Sequence, residues 1–288
     1  MYISYKMTIT HMIKRYISGG QIIYNKLLEK KVTDVFLYSG GAIMPLVDCF
    51  YKGPINYYVN THEQNSGHAA TGYAKSTRKT GIVISTSGPG LTNLITPMLD
   101  AQNDSTPLIV FSGQVPLNAV GTNAFQECPA TEITKSITKW SYMVKSPNEL
   151  PEVIDYAFKI ANHGKKGVVH IDLPKCVTSG QFERNDFSNK IKNELIKKTI
   201  YGNIPIYRDR NIINIAYKID RSKKPVLYLG QGANESFYLI RALMKKTDIP
   251  ATTTIHAMGI VDENDDASLE MVGMHGSAYA NYTVQNAD

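Results

Sequence analysis

From about residue 19 onward, apolar runs of strand length alternate in strict turn with stretches of helical period, and this alternation constrains the fold more than any other feature of the chain. QIIYNKLLEKK places Ile22, Ile23 and Leu27 at helical spacing, and VFLYSGG follows as a buried strand stopped by glycines. INYYV leads into HEQNSGHAATGYA, GIVISTS into PGLTNLITPMLDAQ, and LIVFSG into a loop; WSYMV, a helix from Asn148 to Asn162 and VVHIDLP complete the series. Strand and helix in turn predict an α/β protein, a parallel sheet covered on both faces, with ligands held at the carboxyl ends of its strands.

After Pro174 the pattern lapses through SGQFERNDFSNKIKNELIKK, a polar, charged stretch that reads as an interdomain linker. A second alternation then begins, with NIINIAYKI as helix, PVLYLGQGA as strand and turn, FYLIRALMKK as helix and ATTTI as strand, and it stops at NYTVQNAD before it is complete. The expected organisation is a basic tail over residues 1–18, a first parallel-sheet domain over 19–178, a linker over 179–205 and an incomplete Rossmann-like domain over 206–288.

At 288 residues, 43% hydrophobic and 19% charged, the chain suits two globular domains. No apolar run approaches the roughly 18 residues that suggest a membrane span. The formal charge of +6 does not point to nucleic acid. The lysines gather in the N-terminal tail and between Lys190 and Lys198, where a solvated tail and linker account for them. Cys49, Cys128 and Cys176 are odd in number and widely spaced, which argues against disulfides and a C-x-x-C metal site and for a reducing, cytoplasmic setting. The opening MYISYKMTITHMIKRYI has three basic residues and no acid, a faint likeness to an organelle transit peptide that stands as the alternative.

His62 followed at once by Glu63 suggests a zinc-protease helix, but zinc requires a second histidine four residues on, and the next one is His68. At about 3.6 residues per turn the two rings leave different sides of a helix, so the metal reading fails. Glu63 instead opens a helix rich in small residues (Ser66, Gly67, Ala69, Ala70, Gly72, Ala74), a surface suited to close packing against another helix. Taken alone, Glu63 is explained by the helix macrodipole, worth about 0.3 to 1 kcal/mol to an acid at this position. YSGGA, residues 38–42, ends a strand with two glycines that let the backbone approach a ligand or simply turn. TSGPG, residues 86–90, joins a strand to a helix start, with Pro89 suited to the first turn and free amides facing outward.

Together YSGGA, HEQNSGHAATGYA, TSGPGLTN, FSGQVP, GTNAFQE and HIDLPK, in this order and spacing, closely resemble the thiamine diphosphate enzymes, and within them the acetohydroxyacid synthase (acetolactate synthase) large subunit. PVLYLGQG, TTTI and GMHGSAYANYTVQNAD are similar to that family's central, FAD-binding domain, so the resemblance runs from about Gly19 to the last residue. It implies that the first domain binds the cofactor's pyrimidine. Glu63 then hydrogen-bonds the aminopyrimidine ring nitrogen from a dry pocket and so helps the cofactor to activate itself. Tyr38, Ser39, Gly40 and Gly41 match the turn beside the pyrimidine, with Ser39 where the family usually has proline. Pro89 and Asn93 match further cofactor positions, and Gln126 matches the glutamine near the reacting carbons. Phe125 and Lys175 match residues lining the substrate approach, where Lys175 would attract a 2-ketoacid carboxylate. For FAD the resemblance points to Gly230 and Gly232, to Thr254, Ile255 and His256, and to Met274, His275 and Gly276. Lys165 stands where the family has an arginine, keeping a charge for the flavin phosphates without the bidentate fork.

In that family a third domain carries a Gly-Asp-Gly segment that binds magnesium and the diphosphate, and none is found here. The resemblance therefore implies roughly the first half of a catalytic chain, inactive alone, with magnesium held only through the other half. Its implied partners are 2-ketoacids, a second copy in a homodimer or higher oligomer, the complementary half and a regulatory small subunit, with no nucleic acid and no membrane. The competing readings are an inactive remnant serving as a subunit-interaction module, or another thiamine carboligase such as sulfoacetaldehyde acetyltransferase. Glyoxylate carboligase is disfavoured because it lacks the glutamate.

Overall fold

The computed structural model describes residues 16–183 and 209–288. The transit-peptide-like opening up to residue 15 and the greater part of the linker, with its lysines, lie outside the described residues. The chain forms two compact units, divided in sequence between Ile204 and Pro205.

The first unit runs β1 (Tyr16–Ser18), α1 (Gly19–Glu29), β2 (Asp34–Leu37), α2 (Met44–Val47), β3 (Asn56–Val59), α3 (Glu63–Thr77), β4 (Gly81–Ser85), α4 (Pro89–Thr92) and α5 (Ile95–Asn103). It continues through β5 (Leu108–Gln114), α6 (Ala130–Lys135), β6 (Trp140–Met143), α7 (Leu150–Asn162), β7 (Val168–Pro174), α8 (Lys175–Ser179) and β8 (Gln181–Glu183). Six strands form one parallel sheet in the order β3-β2-β4-β5-β7-β6.

Every residue of β4, β5 and β7 is buried, as expected of strands covered on both sides. Side-chain alternation divides them between two cores. Ile82, Ile84, Ile109, Phe111, Ile171 and Leu173 pack with α1 and α7. Val83, Leu108, Val110 and Val168 pack on the other face with Leu91, Leu94, Met98 and Ala101.

The strand order reverses at β2: the chain leaves β2 for β3 on one side and returns past it to β4 on the other. A crevice opens outside the carboxyl ends of the strands at such a switch point, because the two connections leave toward opposite faces. Residues 38–41 follow β2 and residues 86–90 follow β4, so the two glycine turns flank that crevice.

Three details differ from the sequence reading. Tyr16–Ser18 and Gln181–Glu183, expected as tail and linker, pair as an antiparallel ladder. Ser18 then caps α1 reciprocally, its Oγ accepting from Gln21 N and its N donating to Gln21 Oε1, both at 3.1 Å. PGLTNLITPMLDAQ is two helices rather than one, because Pro97 has no N–H for an interior turn and is accommodated by a restart at Ile95. The helix expected from Asn148 opens as a 3-10 turn over Pro147–Glu149 and becomes α-helical at Leu150.

The second unit runs α9 (Asp209–Arg221), β9 (Leu227–Leu229), α10 (Phe237–Thr247), β10 (Ala251–Thr253), β11 (Ser268–Met271) and α11 (Ala278–Asn286). Its three strands are parallel in the order β11-β10-β9. The strand β11 was not expected, because SLEM alternates polar and apolar over only four residues. The core of this unit consists of Leu229, Met244, Ala251, Ala257, Ile260 and Val261. Against that small core, Ile212, Ile213, Ile215 and Tyr217 on α9 and Tyr238 and Leu239 on α10 are each more than half exposed. Exposed apolar surface on this scale drives association. The purified chain should therefore sediment as a mixture of self-associated species and bind an apolar dye, and a single monomeric boundary without dye binding would contradict this.

Candidate functional site

Glu63 is placed by the residue before it. His62 is extended and its Nδ1 accepts from the Gln64 amide at 3.1 Å, so it serves as N-cap and makes Glu63 the first helical residue, at the positive end of α3. The side chain is only 8% exposed, and its Oε2 accepts from Asn93 Nδ2 at 3.0 Å. The small-residue face of α3 acts as expected: a β-carbon on Gly67 would lie 2.4 Å from Pro97 Cγ, so only glycine lets α3 lie this close to α5. His68, the other histidine of the segment, faces Asp100.

The two glycine turns meet at Thr86. A β-carbon on Gly40 would lie 2.4 Å from Thr86 Cβ, and one on Gly90 would lie 2.7 Å from Thr86 Cγ2 and 3.5 Å from Glu63 Oε1. Tyr38–Gly41, Thr86–Gly90, Glu63 and Asn93 thus converge on one place at the switch point. Thr86 is itself 8% exposed, and its Oγ1 is buried without a hydrogen-bond partner among the described residues. An orphaned hydroxyl of this kind needs a reason. Thr86 falls in the TSGPG turn, and its inward direction is not visible in the residue string. Ser39 turns its hydroxyl to Met44 Sδ at 3.7 Å, within its own loop.

Gln126 lies beside the second turn. Gly88 has φ +53°, and a β-carbon there would lie 2.6 Å from Gln126 O. The loop carrying Gln126 is clasped by the Glu127 carboxylate, which accepts from the amides of Gly121 and, at 3.1 Å, Ala124. The Gly121 amide, followed by its neighbours, holds that carboxyl below the usual range. Asn123 and Gln126 take left-handed backbone conformations, φ 58° and 61°. Each costs about 1 kcal/mol that the clasp must offset. Gln126 is exposed and Phe125 is 89% exposed. Lys175 is exposed just beyond the carboxyl end of β7, whereas Lys165 is exposed at the amino end of the same strand, away from this group.

Beneath the loop lies a buried polar network that the sequence reading missed. Ser112 Oγ donates to Asp172 Oδ1 at 2.8 Å and lies 2.8 Å from His170 Nε2. Thr134 Oγ1 and Ser141 Oγ both lie 2.9 Å from His170 Nδ1. When Asp172 is ionised, with the Ser112 proton committed to it and that of Thr134 to Ala130 O, neutral His170 carries its proton on Nε2 and accepts from Ser141. Gln114 Nε2 donates at 3.0 Å to both Asp172 Oδ2 and Cys128 O, tying the network to the end of the Gln126 loop. The available signal was register: Ser112, Gln114, His170 and Asp172 share one strand parity on β5 and β7.

In the second unit the expected residues lie at strand ends. Gly230 and Gly232 follow β9, Thr254, Ile255 and His256 follow β10, and Met274, His275 and Gly276 follow β11, all at carboxyl ends of parallel strands. Asn234 Nδ2 donates to His256 O at 3.0 Å and joins the first two loops. Among the described residues no cluster of three or more His, Cys, Asp or Glu is arranged to hold a metal, and no helix is long and apolar enough to cross a membrane. Cys49, Cys128 and Cys176 are free thiols.

Residues 17–133 match the model of the N-terminal TPP binding domain of thiamine pyrophosphate enzymes, and residues 212–288 match that of their central domain. The chain is 43% identical over 283 residues to the mitochondrial acetolactate synthase of Schizosaccharomyces pombe, covering 94% of this chain and 41% of that protein. It is 41% identical to the mitochondrial acetolactate synthase catalytic subunit of Saccharomyces cerevisiae, with 94% of this chain and 40% of that one covered. With the acetolactate synthase large subunit of Cyanidium caldarium it shares 39% identity, over 94% of this chain and 47% of that protein. The chain therefore spans less than half the length of these relatives.

The buried network makes a pH-dependent contribution whose direction follows from its burial. Burial pushes the Asp172 carboxyl up from 3.8 to about 7, against hydrogen bonds from Ser112 and Gln114, and pushes His170 down from 6.5 to about 3. Between pH 3.8 and about 7 the folded chain keeps a proton on Asp172 that the unfolded chain releases, so this group's contribution to stability falls as pH rises. Between about 3 and 6.5 the unfolded chain takes a proton on its histidine that folded His170 refuses, so that contribution rises with pH. The two oppose each other over most of the range. In Asp172→Asn only the histidine slope remains, so urea unfolding should show the variant gaining on the wild type by up to about 1.4 kcal/mol per pH unit until the difference levels off near pH 7. Parallel pH profiles would refute this.

Proposed function

The chain belongs to the thiamine pyrophosphate enzyme family, and from that premise we propose that it is part of an acetolactate synthase catalytic subunit, its first unit binding the pyrimidine of thiamine diphosphate. The observation that carries this reading is the buried Glu63 carboxylate, held by one amide and directed to the place where two glycine turns meet. The residues fit the group: glycines at 40 and 90 leave space, and the Thr86 hydroxyl lacks a partner that a polar heterocycle would supply.

Bound thiamine diphosphate would supply a nucleophilic carbon and an electron sink for decarboxylating a 2-ketoacid and joining the remaining acyl group to a second one. The protein's part is positional. Asn93 fixes one oxygen of Glu63 and leaves the other to share a proton with a ring nitrogen, in a setting where water does not compete. Gln126, braced by Gly88 and the Glu127 clasp, presents its side chain toward the reacting carbons, and Phe125 and Lys175 line the approach of an anionic substrate. In the second unit the three strand-end loops, from Gly230 to Gly276, form the contact face for FAD. Magnesium and the diphosphate belong, in this reading, to the portion of the relatives that this chain does not match. The active form is a homodimer or higher oligomer, with a regulatory small subunit as a further partner. The mitochondrial names of two of the relatives direct the compartment toward the mitochondrion. Its reducing interior suits three free thiols as well as the cytoplasm does.

The test is a chimaera in which residues 16–288 replace the matching segment of the Schizosaccharomyces pombe enzyme. It should form acetolactate from pyruvate with thiamine diphosphate and magnesium, and Glu63→Gln should lower its kcat about 10²- to 10⁴-fold. Full activity in Glu63→Gln would sink the reading; a chimaera that folds and binds the cofactor without turnover would favour the interaction-module alternative.

Thr86→Val separates the two roles of the hydroxyl. Without ligand the variant should be more stable by about 1 kcal/mol, since a buried orphan is removed. Its affinity for thiamine diphosphate, measured by calorimetry on the chimaera, should fall several-fold. Destabilisation with unchanged affinity would show that the hydroxyl has a structural partner instead.

A further inference from the structure

At the opposite end of the sheet, the segments that lead into β2 and β4 line a half-open cavity of about 280 Å³. Four cations line it: Lys30 and Lys31, where α1 ends, and Arg78 and Lys79, where α3 ends. Lys30 is already paired, its Nζ 2.6 Å from Asp155 Oδ1. Lys31, Arg78 and Lys79 are exposed, and no carboxylate lies within ion-pair distance of them among the described residues.

Helix dipoles explain only part of this collection. Cations near a helix carboxyl end are favoured by about 0.3–1 kcal/mol, but α1 already has Lys26 in its last turn and α3 has Lys75. Moreover, Lys31 and Arg78 occupy left-handed positions, φ 58° and 60°, where glycine or asparagine is the usual residue. The one acid in the lining, Asp34, is spoken for: burial raises its carboxyl, but hydrogen bonds from Thr33, Asn56, Tyr58 and Tyr73 outweigh that and hold it below the usual range. Three uncompensated cations therefore face one internally satisfied carboxylate. Asn162 Nδ2 donates to Thr80 Oγ1 at 2.8 Å across one side, and the rings of Tyr73 and Phe158 form the apolar part of the wall.

We propose that this cavity binds the phosphate chain of a di- or triphosphate. Its volume lies just below the roughly 300 Å³ at which sites for whole drug-sized molecules begin, so it fits the chain of phosphates rather than an entire nucleotide. Three free cations match the charge of such a group and give it multidentate contact. A nucleoside attached to it would leave over the Tyr73 and Phe158 rings. The cavity is separate from the switch point: four or five strand residues at about 3.3 Å each put it roughly 15 Å away, at the amino ends of the same two strands. The proposal stands independently of the thiamine reading.

Calorimetric titration of the full chain with inorganic pyrophosphate and with ATP tests it. Saturable binding of at least one probe is expected, weakening as KCl is raised. The triple variant Lys31→Glu, Arg78→Glu, Lys79→Glu should weaken it at least tenfold, while Lys245→Glu, Lys246→Glu on α10 should leave it unchanged, with thermal melting confirming that both fold. Equal affinity for the two probes identifies a site for the phosphate chain alone; tighter ATP binding that is reduced by Tyr73→Leu identifies a nucleotide site. No saturable binding at millimolar probe, or equal weakening in both charge-reversal variants, would overturn the proposal.

Discussion

Burial of β4, β5 and β7 on both faces is the constraint on which the rest of the first unit depends. It leaves polar groups only two places: the strand ends, or an interior network in which each group satisfies another. Ser112, His170, Asp172, Thr134, Ser141 and Gln114 take the second course. Because the network spans β5, β6, β7 and α6, it also fixes the Cys128 end of the loop that carries Gln126. Interior satisfaction and the outline of the candidate site are thus one construction. Thr86 marks where it ends, a buried hydroxyl beside the two glycine turns with no hydrogen-bond partner among the described residues.

Much of this was legible in the residue string. Sheet and helix positions followed from period and from glycine and proline punctuation, and the withdrawal of Glu63 from water was implied by the family resemblance of the motifs taken together. The string was silent where an outcome depends on a distant partner. Nothing local in Thr86 says that Gly40 and Gly90 both close on it. His62 resembled a metal ligand because its capping bond to Gln64 exists only once the backbone is extended there. Tyr16–Ser18 looked like tail because its ladder partner lies more than 160 residues on, at Gln181–Glu183. The break before α5 was readable from Pro97, and the expectation of one continuous helix passed over it.

The second unit shows the same rule with a weaker core. Its three groups of expected residues fall at successive strand ends because a parallel sheet sends every such loop to one side, so chain order alone predicts their convergence. What sequence did not convey was how little apolar surface the unit covers. α9 has a marked apolar stripe, yet Ile212, Ile213 and Ile215 on it remain 57–67% exposed. Amphipathic period states which face seeks burial; whether anything buries it is decided by the rest of the assembly.

Parallel strands also give the first unit two chemically different ends. Helices begin at the carboxyl ends of the strands and finish at the amino ends, so one side of the sheet presents free amides and the other free carbonyls. Glu63 sits at the beginning of α3, and Arg78 and Lys79 sit just past its end, each with the sign of charge that the helix favours. The two ends differ in water. Glu63 is withdrawn and has a single protein amide to replace its hydration, so its free oxygen is available to a partner that belongs there. The cations at the other end remain exposed, and screening keeps their mutual repulsion small enough for the fold to bear. A multiply charged anion would relieve that repulsion without asking the protein to move, because the helix ends and the satisfied Asp34 already define the walls.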